Sequence, residues 1–254
     1  MSSNVAEIVY PESDGKPMAD NTLQWDWMVK IVGELREMFA GQEVFVAGDL
    51  FWYPVQGSPN IVTAPDGLVA FGRPHGYRGS YKQWEEDNIA PQVVFEVLSP
   101  NNTYGEMDEK RAFYEKYGVE EYYFIDPYEN EVEIYLRRGK RLIKQDDVFG
   151  IESPRLKIRF AKKDDELVIL APDGRTFQTR EERVEEMLDE IEESRRLIQE
   201  ERSRATDAVI TAELERRKAD EERRKADEEC AAKERLAAKL RELGVNPDDI
   251  IRGS

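Results

Sequence analysis

The chain is poor in the residues that most often bind soft metals: it has one cysteine, Cys230, and one histidine, His75, in 254 residues. A lone cysteine excludes an internal disulfide framework and a cysteine-based zinc site. Cysteine this scarce fits a reducing compartment, so a cytoplasmic protein is expected. No run of about 18 apolar residues occurs, so no membrane-spanning helix is expected. The opening residues MSSNVAEIVYPESDG lack the basic and apolar blocks of a secretory signal. Positive charge is also in deficit: 37 Lys and Arg stand against 54 Asp and Glu, a net charge of −17. Up to residue 172 there are 19 basic and 30 acidic side chains, and after it 18 and 24, so neither part is basic. That argues against a constitutive nucleic-acid binder. A local basic patch stays compatible with it, because screening acts over about 8 Å.

What is absent also divides the chain. Phe177 is the last aromatic residue, and no proline occurs between Pro172 and Pro247. The apolar and aromatic material therefore sits before residue 172, enough for one core. The expected plan is a flexible arm over 1–20, a folded domain over 21–172, a long charged helix or coiled coil over 178–243, and a tail over 244–254.

Within 21–172, Asn21 or Thr22 is placed to cap a helix. On it Trp25, Met28, Val29, Val32, Leu35 and Phe39 recur at spacings of three and four. Val44–Tyr53 is a β-like run interrupted by Gly48 and Asp49, for which a bulge or bend is the plain reading. PDGLVAF at 65–71 and VVFEVL at 93–98 predict two more strands, the second apolar enough to be central. Residues 106–117 predict a second helix closed by Gly118. EYYFID at 121–126 and VEIYL at 132–136 predict a hairpin, and short strands near 142, 156–160 and 167–170 finish the domain. This order predicts a mixed α/β fold with one central sheet flanked by helices. In the C-terminal part ERRKADE occurs at 215–221 and again at 222–228. Heptads counted from Val184 give an apolar a position but four Glu at d, a weak seam for self-association or for another helix, stronger at its two ends.

Two carboxylates lie within apolar strands, Asp66 in APDGLVAF and Glu96 in VVFEVLSP. A buried charge is costly unless it is paired or bound to a metal. One such Glu is most simply a strand-end residue, but two on neighbouring strands suit a hard divalent cation held by carboxylates and a substrate phosphate. Lys110 follows in GEMDEKRAFYEKYGV. It is an ordinary helix lysine by itself, and beside paired carboxylates it is a candidate to stabilise phosphate charge. The loop from Arg73 to Trp84 combines three basic and three aromatic residues. It suits either a nucleic-acid contact or a surface loop anchored by Trp84. His75, in a Gly/Pro-rich loop, is expected to be exposed and without a role.

The run APDGLVAFG, then RGSYKQWEE, then APQVVFEVLSPNNT, then DEKRAFYEKYGVEEYYFIDP resembles the Uma2 family of restriction endonucleases. The resemblance covers about residues 20–160 and implies a PD-(D/E)xK nuclease core. It implies that Asp66 and Glu96 are the acidic metal ligands and that the carbonyl of Val97 completes the metal shell. It also implies that Lys110 replaces the lysine of the parent motif, whose position is Leu98 here. Tyr114 keeps the helical spacing of four from Lys110. Many members carry a His on the first helix where this chain has Gln24, and Glu34 on the same helix is a candidate to compensate. The implied activity is Mg²⁺-dependent hydrolysis of DNA, with Mn²⁺ as a substitute. The alternative is an inactive nuclease scaffold that acts through its helix as an interaction module.

Overall fold

A computed structural model gives the fold, and the residues it describes are 8–13, 15 and 18–244. The expected arm falls only partly within them, and the tail from 245 lies outside. Two compact units divide the chain, Met1–Val184 and Glu185–Ser254.

The first unit is mixed α/β. Its first helix, α1 (Thr22–Met38), starts where the Asn21 side chain accepts the N–H of Gln24 at 3.0 Å. The strands β1 (Val44–Ala47), β3 (Gly67–Phe71), β5 (Val93–Val97), β6 (Glu121–Asp126), β7 (Glu131–Arg138) and β8 (Arg141–Lys144) form a six-stranded sheet in the order β1-β3-β5-β6-β7-β8. β5 and β6 run parallel, and the other neighbours are antiparallel. The parallel pair needs a crossover, which α2 (Tyr104–Tyr117) supplies. A reciprocal cap between Thr103 and Glu106 opens α2, and Gly118 closes it at φ +104°, where a side chain would be strained. The short strands β2 (Trp52–Tyr53) and β4 (Tyr81–Lys82) pair with each other, and β9 (Arg159–Lys163) pairs with β10 (Glu166–Leu170).

Alternation along β5 assigns the two faces of the sheet. Val93, Phe95 and Val97 pack with Ile31 and Leu35 of α1 and with Phe160 and Ile169 of the β9–β10 hairpin. Val94 packs on the other side with Met107 and Tyr114 of α2, Leu68 of β3 and Tyr122 of β6. Glu96, two residues on from Val94, shares the α2 face.

Three details correct or refine the sequence reading. The buried stripe of α1 is Gln24, Trp27, Met28, Ile31, Glu34 and Leu35. Trp25, placed inside by periodicity, is 44 % exposed. Apolar residues lie on two sides of α1, and the inward side is the one whose polar members, Gln24 and Glu34, find partners. The run 44–53 is two strands, because the chain turns at Asp49, which adopts φ +47°. The loop from Arg73 is held internally: Arg73 pairs with Glu86 and Asp87, and Arg78 with Glu86 at 2.5 Å.

The described part of the second unit is formed by one helix, α3, which begins in the first unit and runs Arg180–Glu242. Its 63 residues extend about 95 Å. None of them is buried. Among the described residues no helix is long and apolar enough to cross a membrane.

Candidate active site

The sheet register aligns the two strand carboxylates. Gly67 of β3 lies opposite Phe95 of β5 in an antiparallel pair. One step further, Asp66 falls opposite Glu96, and residues directly opposite share a face. The Asp66 backbone is closely approached from β1. A Cβ on Gly48 would lie 2.9 Å from the Asp66 carbonyl oxygen, so only glycine lets the end of β1 run there.

Glu96 is fully buried. Its Oε2 accepts from Lys110 Nζ at 2.7 Å, and its Oε1 accepts from the Tyr114 hydroxyl. Lys110 and Tyr114 are one helical turn apart on α2, so one stripe of the helix reaches both carboxylate oxygens. The Tyr114 hydroxyl also lies 3.4 Å from Thr63 Oγ1. Leu98, at the position of the parent motif's lysine, is buried in the α2-side core. The ammonium therefore arrives from the helix.

Asp66 Oδ2 accepts the N–H of Val97 at 2.7 Å. Burial, and then the charge of Glu96, push the Asp66 carboxyl up to about 8, against the opposing pull of Lys110 and the Val97 N–H. Burial alone would lower the Lys110 ammonium, but the charges of Glu96 and Asp66 outweigh it and raise the group. Burial and the same Glu96 charge lift the Tyr114 phenol well above its ordinary value, so it stays a hydrogen-bond donor. Negative charge thus exceeds what the single lysine offsets.

Gln24 reaches the same place from α1. Its Nε2 lies 3.5 Å from Asp66 Oδ1 and 3.4 Å from the Val97 carbonyl oxygen, while its Oε1 accepts the N–H of Asp20 at 2.9 Å. One donor therefore faces two of the three oxygen donors that the family resemblance assigns to a metal. Sequence reasoning meets Gln24 only as a departure from a family pattern. No local signal marks it, because its place on the inward stripe of α1 emerges only from the packing.

Glu34 does not join this group. It is ten residues, about 15 Å, further along α1 than Gln24. There it accepts from Arg175 at 2.9 and 3.0 Å, from Arg183 at 2.5 Å and from the N–H of Gln178 at 3.1 Å. Its expected compensating role is corrected: both oxygens are committed to arginines that the sequence does not suggest as its partners. His75 is exposed.

Among the described residues no three His, Cys, Asp or Glu side chains form a ready metal cluster. The oxygen donors at this end of β3 and β5 are two carboxylates and one carbonyl, all hard.

Comparison with known proteins agrees with the site's position in the sequence. Residues 20–155 match the Uma2 family, described as "Putative restriction endonuclease". Among solved structures the chain is similar to a "putative nuclease belonging to DUF820" from Anabaena variabilis ATCC 29413, at 17 % identity and a TM-score of 0.40. The match covers 54 % of this chain and 76 % of that one. No curated protein matches the chain significantly.

Proposed function

The chain belongs to the Uma2 family, and from that premise we propose that it is a metal-dependent endonuclease that hydrolyses phosphodiester bonds of DNA in the cytoplasm. One observation carries the reading. Two carboxylates in register on one sheet face, one of them fully buried, meet a single ammonium delivered by α2.

Asp66, Glu96 and the Val97 carbonyl are the groups that would hold Mg²⁺ or Mn²⁺. The fit rests on the donor set, two carboxylates and a carbonyl on neighbouring strands, all hard oxygens. Burial and Glu96 push the Asp66 carboxyl up to about 8, an excess of negative charge that a cation relieves. A divalent ion there supplies charge to polarise a phosphate and to acidify water. The residues of the chain do the rest. Lys110 spends one of its three donors on Glu96 and keeps the others for a phosphate oxygen or a water. Tyr114 fixes the orientation of the Glu96 carboxylate from beneath. Gln24 Nε2 faces Asp66 and the Val97 carbonyl from α1, on oxygens that a cation would take over from it. The direct test is incubation of the full chain with plasmid DNA in Mg²⁺, in Mn²⁺ and in EDTA. Cleavage is expected in both metals and none in EDTA. An intact plasmid under all three conditions would point instead to an inactive scaffold.

A second reading concerns α3. Val184, Met187, Ile191 and Ile198 form an apolar stripe at helical spacing, each about half exposed. That stripe supports weak self-association or pairing with another helix. Sedimentation of the full chain and of a chain ended after Val184 is expected to show less association in the shorter one. Equal association would move the contact into the first unit.

A further inference from the structure

In a single chain no residue of α3 is buried. Val184, Met187, Ile191 and Ile198 near its start, and Leu236 and Leu243 near its end, are between 46 % and 78 % exposed. The helix is unbroken from Arg180 to Glu242, so its two apolar ends cannot fold back on each other. Cover for this seam has to come from another helix. Val209, Ile210 and Leu214 lie off the seam and take no part in it.

Charge along the seam decides how two copies can pair. In heptads counted from Val184, position d holds Glu201, Glu215, Glu222 and Glu229, and position a holds Lys233. A parallel pair in register sets a against a and d against d, so each residue meets its own copy. The apolar ends then match. Between them stand four Glu–Glu layers and one Lys–Lys layer, and like charges set face to face are destabilising.

An antiparallel pair sets a against d instead. Centred between Glu213 and Leu214, it places Val184 on the partner's Leu243, Met187 on the partner's Leu240 and Ile191 on the partner's Leu236. Two-fold symmetry repeats these apolar layers at the other end. In the middle Glu201 meets the partner's Ala226, Glu215 the partner's Ala212, Glu222 the partner's Ala205 and Glu229 the partner's Ile198. No acid meets an acid. A glutamate stem can lie along a small or apolar side chain while its carboxylate turns out to water. Lys233 meets the partner's Ser194. Glu190 and Lys239, one residue before Ile191 and Leu240, flank the end layers with opposite charge.

We propose that α3 is a self-recognition surface whose partner is a second copy of this chain, laid antiparallel with Val184 on Leu243. This pairing rests on the self-association reading of α3 and not on the nuclease reading.

Thiol cross-linking of the full chain tests it. Cys230→Ser removes the only native thiol, at an exposed position. In that background Met187→Cys and Leu240→Cys are made in separate chains, one of them tagged to change its mass. Each chain is oxidised alone, and both are oxidised as a mixture. Asp189→Cys and Ala238→Cys, on the outer face of the same two ends, give the collision background. The Met187→Cys and Leu240→Cys mixture should give the mixed disulfide at least about fivefold above that background, because facing core positions come within disulfide reach. Each chain alone should stay at background. Strong disulfides within each chain's own sample would reveal parallel pairing and overturn the proposal. Sedimentation of the same chains, reduced, reads association separately. Dimers without the mixed disulfide overturn the antiparallel register and leave self-association standing. Monomers sink both, and leave the seam to a helix of another protein.

Discussion

Up to Val184, Glu34, Glu96 and Glu121 are each 1 % exposed or less. From Glu185 to Glu242 no residue is buried, although the composition there is more highly charged. In the first unit each of these withdrawn carboxylates has specific partners. Glu34 has two arginines and an N–H, and Glu121 has the hydroxyls of Ser153 and Tyr123 and the N–H of Arg155. Along α3, pairs such as Arg217–Glu213 lie at 3.2 Å with 76 % and 62 % of each side chain in water. Desolvation, not the number of charges, decides what a carboxylate does. Of these three, Glu96 faces a second carboxylate across the sheet, the partly buried Asp66, whose carboxyl is pushed up to about 8. That unbalanced pair separates a candidate reaction centre from two structural ion clusters.

The contrast breaks first at Glu96. Glu96→Gln keeps the shape and removes the charge, so metal-dependent cleavage should fall at least about a hundredfold, while the thermal midpoint stays within a few degrees. Cleavage close to that of the unsubstituted chain would show that Glu96 is another structural carboxylate.

Glu34→Ala should cost about 2–3 kcal/mol in urea unfolding, because two arginines lose a buried partner. A chain ended after Asp173 should lose more, since the buried Phe177 goes with Arg175 and Arg183, and a chain ended after Val184 should lose none. Equal stability of the two truncated chains would contradict this use of Glu34.

Asp66 gives a dependence on pH. Its carboxyl is raised from 3.8 to about 8, so the protonated form is the one the fold favours. The stability it contributes is complete below about pH 4 and drains away as pH rises through about 8. In EDTA, Asp66→Asn should therefore remove a downward slope between pH 4 and 8 and gain about 1–3 kcal/mol at pH 9. Parallel pH profiles for the two proteins would mean that Asp66 is not strained.

The smallest effect is expected on the helix. Glu213→Ala should change stability by under about 0.5 kcal/mol, because an exposed i,i+4 pair gains little over water. A loss above about 1 kcal/mol would show that this part of α3 is packed against a partner.

Much of this arrangement is legible in the residue order. Glu96 stands out because five apolar neighbours surround it, and the near-continuous apolar run 93–98 gives a buried strand whose one polar member must find a partner. Lys110 is legible only through the family pattern, since a helix lysine among GEMDEKRAF has nothing local to mark it. The inward side of α1 is not legible, because periodicity finds apolar stripes and cannot weigh Gln24 or Glu34, whose partners lie 42 and 141 residues away in the chain.

The central claim is that Asp66 and Glu96 share one ion. Crystals of the full chain soaked in MnCl₂, with anomalous data collected near the manganese edge, should show one strong peak in contact with Asp66, Glu96 and the Val97 carbonyl. They should also show Gln24 Nε2 moved off Asp66 and the Val97 carbonyl. No peak at these oxygens, with manganese bound elsewhere or nowhere, would contradict the metal-dependent nuclease reading.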